Sequence, residues 1–378
     1  MNFATKICDA IRALDNTAEA YGSKVVHTSE GGALLRRLMA KRASGEEVVF
    51  AALGDSWTNT LHRLVGPLTD WLDDEIGVSA PGYCSACNMV SVAQGATRSR
   101  TGEWFDVRYT GNPEAGGHGT RGGFGPEGAH AVTFEAGATM SFDTYPVAGQ
   151  MSKWRIQYLV QPGGGSFSYQ IGAGQSFQVD TDGAETYGVT EIIGSGAMVL
   201  TCDVTGVAGV TIAGVEILMP QAGKAVVNKI GNGGADARRF VDIPEDFFVA
   251  AMQSIAPDVV VICLGVNDKS YNTGLSAFRD NIAEMIRRVR LAAPNCDILL
   301  VGPGDSYQLG RAHEIPEYNA TLAELAVSDG HTFVDLMDGL GTYTQANANN
   351  LYSDPYHVNV PGGFVNLKIL SRPIAVAL

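Results

Sequence analysis

Charge is scarce in this sequence, and positive charge is scarcest. Aspartate, glutamate, lysine and arginine make up 17% of the 378 residues, against about a quarter in ordinary soluble proteins. The 26 basic residues face 40 acidic ones, for a net charge of −14. So acidic a chain repels phosphate backbones, and no basic patch stands out along it, so nucleic acid is not an expected partner. Long apolar runs are missing too; none approaches the roughly 20 residues of a membrane-spanning helix. The opening stretch Met1 to Asp15 holds acidic side chains and no continuous apolar segment, so it lacks the form of a secretory leader. Six cysteines are few for this length, and only Cys84 and Cys87 stand close together. One C-x-x-C without a second pair or a neighbouring histidine is poor ground for zinc, and no metal or cofactor is expected. Nor do His62, His118, His130, His313 and His331 fall at metal-ligand spacing. With 45% hydrophobic residues the chain still has material for a folded core, and its length suits two or three domains.

Glycine is abundant but unevenly spread: 25 of the 46 glycines fall between Gly95 and Gly223. In that segment, short β-branched and aromatic stretches recur between turn signals: Ala131 to Phe134, Lys153 to Val160, Ser166 to Ile171, Ser176 to Val179, Tyr187 to Ile193, Met198 to Val204 and Val210 to Leu218. This rhythm predicts an all-β sandwich or jelly roll over residues 96–224. Its aromatic residues, Trp104 and Trp154 among them, are expected mostly in the core, with a flat platform for sugar rings as the functional alternative.

Outside that segment the pattern changes. Apolar runs at Val48 to Leu53, Val226 to Ile230, Val259 to Leu264, Ile298 to Val301 and Thr332 to Val334 suit strands covered on both faces. Between the third and fourth, Leu275, Phe278, Ile282, Met285, Ile286 and Val289 repeat at helical steps. The expected fold is a three-layer α/β/α, doubly wound domain over residues 46–95 and 225–378, with the β-rich module inserted. Residues 1–45 read as helical packing or an attachment arm.

In an open parallel sheet, ligands bind beyond the carboxyl ends of the strands. Gly54-Asp55-Ser56-Trp57 follows the first run, Gly231-Asn232-Gly233-Gly234 the second and Gly265-Val266-Asn267-Asp268 the third; Asp354-Pro355-Tyr356-His357 comes late in the chain. Each alone is an ordinary turn or helix cap. Together they supply what acyl transfer requires. Ser56 is a hydroxyl nucleophile needing a base, His357 is that base, and Asp354 stands three residues earlier to orient the imidazole. The backbone N–H groups of Ser56 and Gly234 and the side-chain amide of Asn267 are donors for a developing oxyanion. Asp55 and Asp268 are expected to be structural.

The GDS, glycine, GVND and DPYH blocks, in this order, resemble the four blocks of the SGNH hydrolase (GDSL-like esterase) superfamily. That resemblance implies Ser56 as nucleophile, Gly234 and Asn267 in the oxyanion hole, His357 as base and Asp354 as its partner. In the second block Gly231, Gly233 and Gly234 each align, Gly234 best because a small residue follows it. The β-rich segment between Ser56 and Gly234, with Asp74 to Tyr83 (DEIGVSAPGY), is similar to the peptidoglycan O-acetylesterase type, in which a carbohydrate-binding-like β domain interrupts the catalytic domain. The expected activity is removal of O-acetyl groups from a carbohydrate polymer, with an acetylated glycan as substrate and Trp57 narrowing the acyl pocket. A lipase or thioesterase uses the same motifs. So does a phage tail or adhesion protein that binds glycan with an accessory or lost deacetylase.

Overall fold

A computed structural model describes residues 35–60, 62–80, 82–86, 96–99, 102–110, 124–127, 132–134, 136–144, 151–195, 198–204, 208–219 and 221–378. The expected arm lies outside these residues as far as position 34. Its remainder is the helix Arg36–Ser44, which packs rather than projects. Leu35 and Leu38 join the core, Arg37 Nε donates to Asp258 at 2.8 Å, and the Leu38 N–H donates to Asp297 Oδ2 at 2.9 Å.

The strands among the described residues run, in chain order, β1 Val48–Gly54, β2 Val78–Ala80, β3 Gly82–Ser85, β4 Ala96–Ser99, β5 Gly102–Thr110, β6 Val132–Phe134, β7 Thr139–Thr144, β8 Ser152–Val160, β9 Ser166–Ile171, β10 Phe177–Asp180, β11 Thr186–Gly194, β12 Met198–Val204, β13 Val210–Leu218, β14 Ala225–Gly231, β15 Val259–Cys263, β16 Asp297–Gly302 and β17 Thr332–Asp335. Six of them form a parallel sheet in the order β17-β16-β15-β1-β14-β2. Its inner strands are buried on both faces, as their continuous apolar runs predict; every residue of β15 is buried. Because side chains alternate across a strand, one sheet supports two cores. Phe50, Ala52, Val259 and Val261 meet the helices Val65–Glu75 and Val360–Ala377 on one side. Ala51, Leu53, Val260 and Ile262 meet Glu245–Ile255, Leu275–Ala292 and Ile315–Asp329 on the other. The fold is thus a three-layer α/β/α domain carrying additional β-sheets.

Those sheets are antiparallel. One runs β10-β9-β12-β7-β5-β4; the other runs β11-β8-β13-β3, with β6 also paired to β13. Their shared core holds Phe134, Met140, Trp154, Ile156, Phe167 and Val215. The second sheet also rests on the helical layer, with Tyr83, Phe124, Leu159 and Ala213 packing beside Phe247 and Phe248. Arg155 Nη1 donates to the Ser254 carbonyl at 2.6 Å, and buried Glu216 accepts from Gln157 Nε2 at 2.5 Å and from Ser254 Oγ. The chain enters this sheet at Gly82, earlier than the expected limit at 96, because β3 pairs with β13 from Gly82↔Ile217 to Ser85↔Gly214. A buried asparagine on β14 ties this entry to the parallel sheet: Asn228 Nδ2 donates to the Phe50 carbonyl at 2.9 Å, and its Oδ1 accepts the Tyr83 N–H at 2.7 Å. No helix among the described residues is long and apolar enough to cross a membrane.

Candidate active site

The parallel sheet reverses direction of growth at β1, which has β14 on one side and β15 on the other. Gly54 pairs with Gly231 of β14 and with Cys263 of β15, so three of the four motifs leave the sheet at one level of three adjacent strands. Close packing there demands glycine. A Cβ on Gly54 would stand 2.2 Å from Thr58 Oγ1 and 2.5 Å from the Cys263 carbonyl; one on Gly231 would stand 2.4 Å from the Asn59 nitrogen. Gly234 and Gly265 take positive φ, 82° and 138°.

Asp55 caps the short helix Ser56–Asn59, its Oδ1 accepting the Trp57 N–H at 2.8 Å. The next residue, Ser56, reaches the motif at the far end of the chain: its Oγ lies 2.8 Å from His357 Nε2. His357 Nδ1 in turn lies 2.9 Å from Asp354 Oδ2. Burial alone would raise the Asp354 carboxyl, but hydrogen bonds from the Tyr356 N–H and His357 and the charge of Arg63 outweigh it and hold the group below its usual range. An ionised carboxylate only accepts, so Nδ1 carries the proton and the Nε2 lone pair faces the serine hydroxyl. The imidazole is pushed below its ordinary value by burial and then by Arg63, against the opposing pull of Asp354.

Asn267 follows β15 on the short helix Val266–Ser270. Its Nδ2 donates to Asp55 Oδ2 at 3.1 Å and to the Ala235 carbonyl at 3.0 Å, so both amide protons already have acceptors and an oxyanion would share one of them. Asp268, fully buried, accepts the Ala237 N–H at 3.3 Å on both oxygens. The GVND segment therefore binds the first and second motifs together. Burial raises the Asp55 carboxyl to about 7; burial and then the neighbouring Asp236 raise that of Asp268 to about 8. Gly234 is exposed on the loop after β14, and its carbonyl accepts from Tyr271 Oη at 3.1 Å.

The tryptophans depart from expectation. Trp57 is wholly buried and does not line an acyl pocket. Its indole lies edge-on to Tyr352, and Nε1 donates to the Tyr356 carbonyl at 3.1 Å, beneath the histidine loop. Trp154 is also wholly buried, in the module core with Nε1 donating to Ser152 Oγ at 2.7 Å, so it offers no face to a sugar. The side chain of Trp104 lies outside the described residues, as do His118, His130 and Cys87. Cys84 is buried, and no group of three or more histidine, cysteine, aspartate or glutamate residues suited to a metal occurs among the described residues. Sequence reasoning passed over Arg63, whose Nη1 donates to the Ser56 carbonyl at 3.1 Å. A lone cation in the apolar stretch after the first motif is its only trace in the sequence.

No curated protein matches the chain in sequence. Residues 213–362 match the model of the GDSL-like lipase/acylhydrolase family, a span that includes Gly234, Asn267, Asp354 and His357. A solved peptidoglycan O-acetylesterase shares the fold, with 15% identity, a TM-score of 0.68, and 92% of this chain and 96% of that one covered. Much looser overlays join a family two carbohydrate esterase from Clostridium thermocellum in complex with cellohexaose (14% identity, 72% and 100% covered, TM-score 0.34) and a lipase/acylhydrolase from Enterococcus faecalis (20% identity, 40% and 76% covered, TM-score 0.33); nothing about this chain rests on those two. The family match over the later motifs and a fold shared along nearly the whole length agree with the motif order, and together they support an SGNH, or GDSL-like, hydrolase.

Proposed function

We propose that this protein is a serine esterase that removes O-acetyl groups from a carbohydrate polymer. The observation that carries the reading is the hydrogen-bonded series Ser56 Oγ, His357 Nε2, His357 Nδ1, Asp354 Oδ2: a 2.8 Å step between residues 301 apart in sequence, then a 2.9 Å step between residues three apart. His357 takes the Ser56 proton as Oγ attacks the acetyl carbon. The negative charge passes to the carbonyl oxygen, met by the N–H groups of Ser56 and Gly234 and the shared amide of Asn267. Collapse breaks the bond to the sugar oxygen, which leaves with the proton from His357, and acetyl-Ser56 remains. Water, deprotonated by His357, then attacks the acetyl group, and acetate departs as the serine regains its proton. The fold shared with a peptidoglycan O-acetylesterase over 92% of this chain, additional β-sheets included, supports a glycan as the acyl carrier.

The test is acetate release from acetylated peptidoglycan, xylan and bacterial surface polysaccharides. The parent is expected to release acetate from at least one of them and to prefer acetyl over octanoyl esters, and Ser56→Ala is expected to lose about three orders of magnitude or more in rate. Undiminished turnover by Ser56→Ala removes the mechanism; a preference for octanoyl esters removes the carbohydrate substrate.

A further inference from the structure

The turn that follows the Ser56 helix belongs to none of the four motifs, yet it is built against the Ser56 main chain and the histidine loop. Arg63 Nη1 donates to the Ser56 carbonyl at 3.1 Å, and its own N–H donates to the Thr60 carbonyl at 3.2 Å. The C-terminal helix Val360–Ala377 holds the turn from the other side. Fully buried Asn366 donates Nδ2 to the Arg63 carbonyl at 2.9 Å, and a Cβ on Gly363 would stand 1.8 Å from the His62 carbonyl. The His62 ring hydrogen-bonds the backbone of Val358, the residue after the base. One guanidinium thus sits where the nucleophile's turn, the histidine loop and the terminal helix meet.

We propose that Arg63 is a positioning residue of this site, holding the Ser56 main chain through Nη1 and setting the charge balance of the Asp354–His357 pair. The inference rests on the esterase reading above. The groups facing the His357 imidazole are Ser56 Oγ on Nε2, Asp354 on Nδ1, the Tyr356 ring at 6.1 Å between centroids on the same loop, and His62 and Arg63 from the turn. His62 is itself pushed toward the neutral form by burial and then by Arg63. Arg63 is therefore the cation in this group, and its charge also acts on Asp354 and Asp55. A fixed positive charge disfavours a second one on the imidazole. It thereby keeps His357 in the proton-accepting form to lower pH.

The experiment measures kcat and kcat/KM for p-nitrophenyl acetate from about pH 5 to 9 in the parent, Arg63→Gln, Arg63→Lys and Ser56→Ala. In Arg63→Gln the acid limb of kcat/KM should move upward by about half a pH unit or more, and kcat should fall roughly tenfold with KM within about twofold. Arg63→Lys should restore the limb while recovering kcat only in part, since an ammonium keeps the charge without the planar fork. An unmoved limb in Arg63→Gln, or a limb that Arg63→Lys shifts equally far, overturns the proposal. Should Arg63→Gln fail to fold, Arg63→Lys decides: a parental limb with lowered kcat supports it and a displaced limb sinks it. A parent no faster than Ser56→Ala overturns the esterase reading and this inference with it, whereas an active parent with an unmoved Arg63→Gln limb overturns this inference alone.

Discussion

Trp57 follows Ser56 directly, yet its indole is wholly buried and hydrogen-bonded within the protein. Its indole N–H is the link from the Ser56 turn to the loop that carries His357. Trp57→Phe keeps a ring in the pocket and removes that donor, a change worth about 1 kcal/mol of stability at most sites. A kcat lowered roughly tenfold with KM nearly unchanged is the expected result, read from steady-state kinetics beside a denaturant titration. Asp55 invites a sharper test. Its Oδ1 is committed to the Trp57 N–H, so in Asp55→Asn the new amide nitrogen must face the Nδ2 of Asn267. Two donors repel, Asn267 turns away, and kcat should fall by about 10- to 100-fold, less than the full loss of an oxyanion donor. Kinetics indistinguishable from the parent would show that the Asp55–Asn267 contact does not position the amide. Ser56, Gly234 and Asn267 stood out in sequence because each follows a strand end, and His357 because an aspartate precedes it by three, all with residue types that acyl transfer needs. Trp57 and Arg63 were not, because their value lies in which carbonyl the fold brings to them.

Among the elements, the end of β14 and the loop after it offer a discriminating experiment, since Gly231, Gly233 and Gly234 each align in sequence and only the small residue after Gly234 favours it. The structure separates them. A Cβ at Gly231 meets the Asn59 backbone, one at Gly233 meets nothing within 4 Å, and Gly234 has a φ of 82°. Gly233→Ala should therefore be neutral in both stability and activity. Gly234→Ala should cost about 1–2 kcal/mol from left-handed strain, and Gly231→Ala should cost about 1–3 kcal/mol from overpacking. Urea midpoints and kcat for the three variants check the order; a destabilised Gly233→Ala would contradict it. The parallel strands were readable because burial on both faces writes an unbroken apolar run. The edge strand β2 and the module strands β3, β4, β5 and β7 were not. They are either three or four residues long, as in Val78–Ala80 and Gly82–Ser85, or interrupted by charged side chains, as in Gly102–Thr110 (GEWFDVRYT), and neighbouring strands supply the rest of the signal.

For the molecule as a whole, three of the buried carboxyls make stability respond to pH in one direction. Burial raises Asp55 and Glu127 to about 7 and Asp268 to about 8. Each stays protonated in the folded chain where the unfolded chain has already released its proton, above about pH 4. Their contribution is complete below the unfolded value and is lost as the pH climbs toward 7 and 8. The urea midpoint should accordingly decline between about pH 5 and 8.5, and Asp268→Asn should flatten part of that decline; an equal slope in the variant would remove Asp268 from the account. Glycine distribution and the rhythm of short β-branched stretches disclosed an inserted module but not its seat. That seat depends on Tyr83, Phe124 and Leu159 meeting Phe247 and Phe248, residues drawn from four separate parts of the chain.

The clasp between β3 and β13 has a consequence in time. β1 and β14 lie side by side, yet Asn228 reaches the Phe50 carbonyl across 178 residues of chain. Closing so long a loop before any contact rewards it is slow, because the entropic cost rises with loop length and distant pairings delay folding. Once Gly82 to Ser85 has zipped onto Gly214 to Ile217, that loop is already closed and its ends stand beside Asn228. Refolding should therefore proceed module first and catalytic seam second, with the insertion acting as the splint on which the esterase half sets.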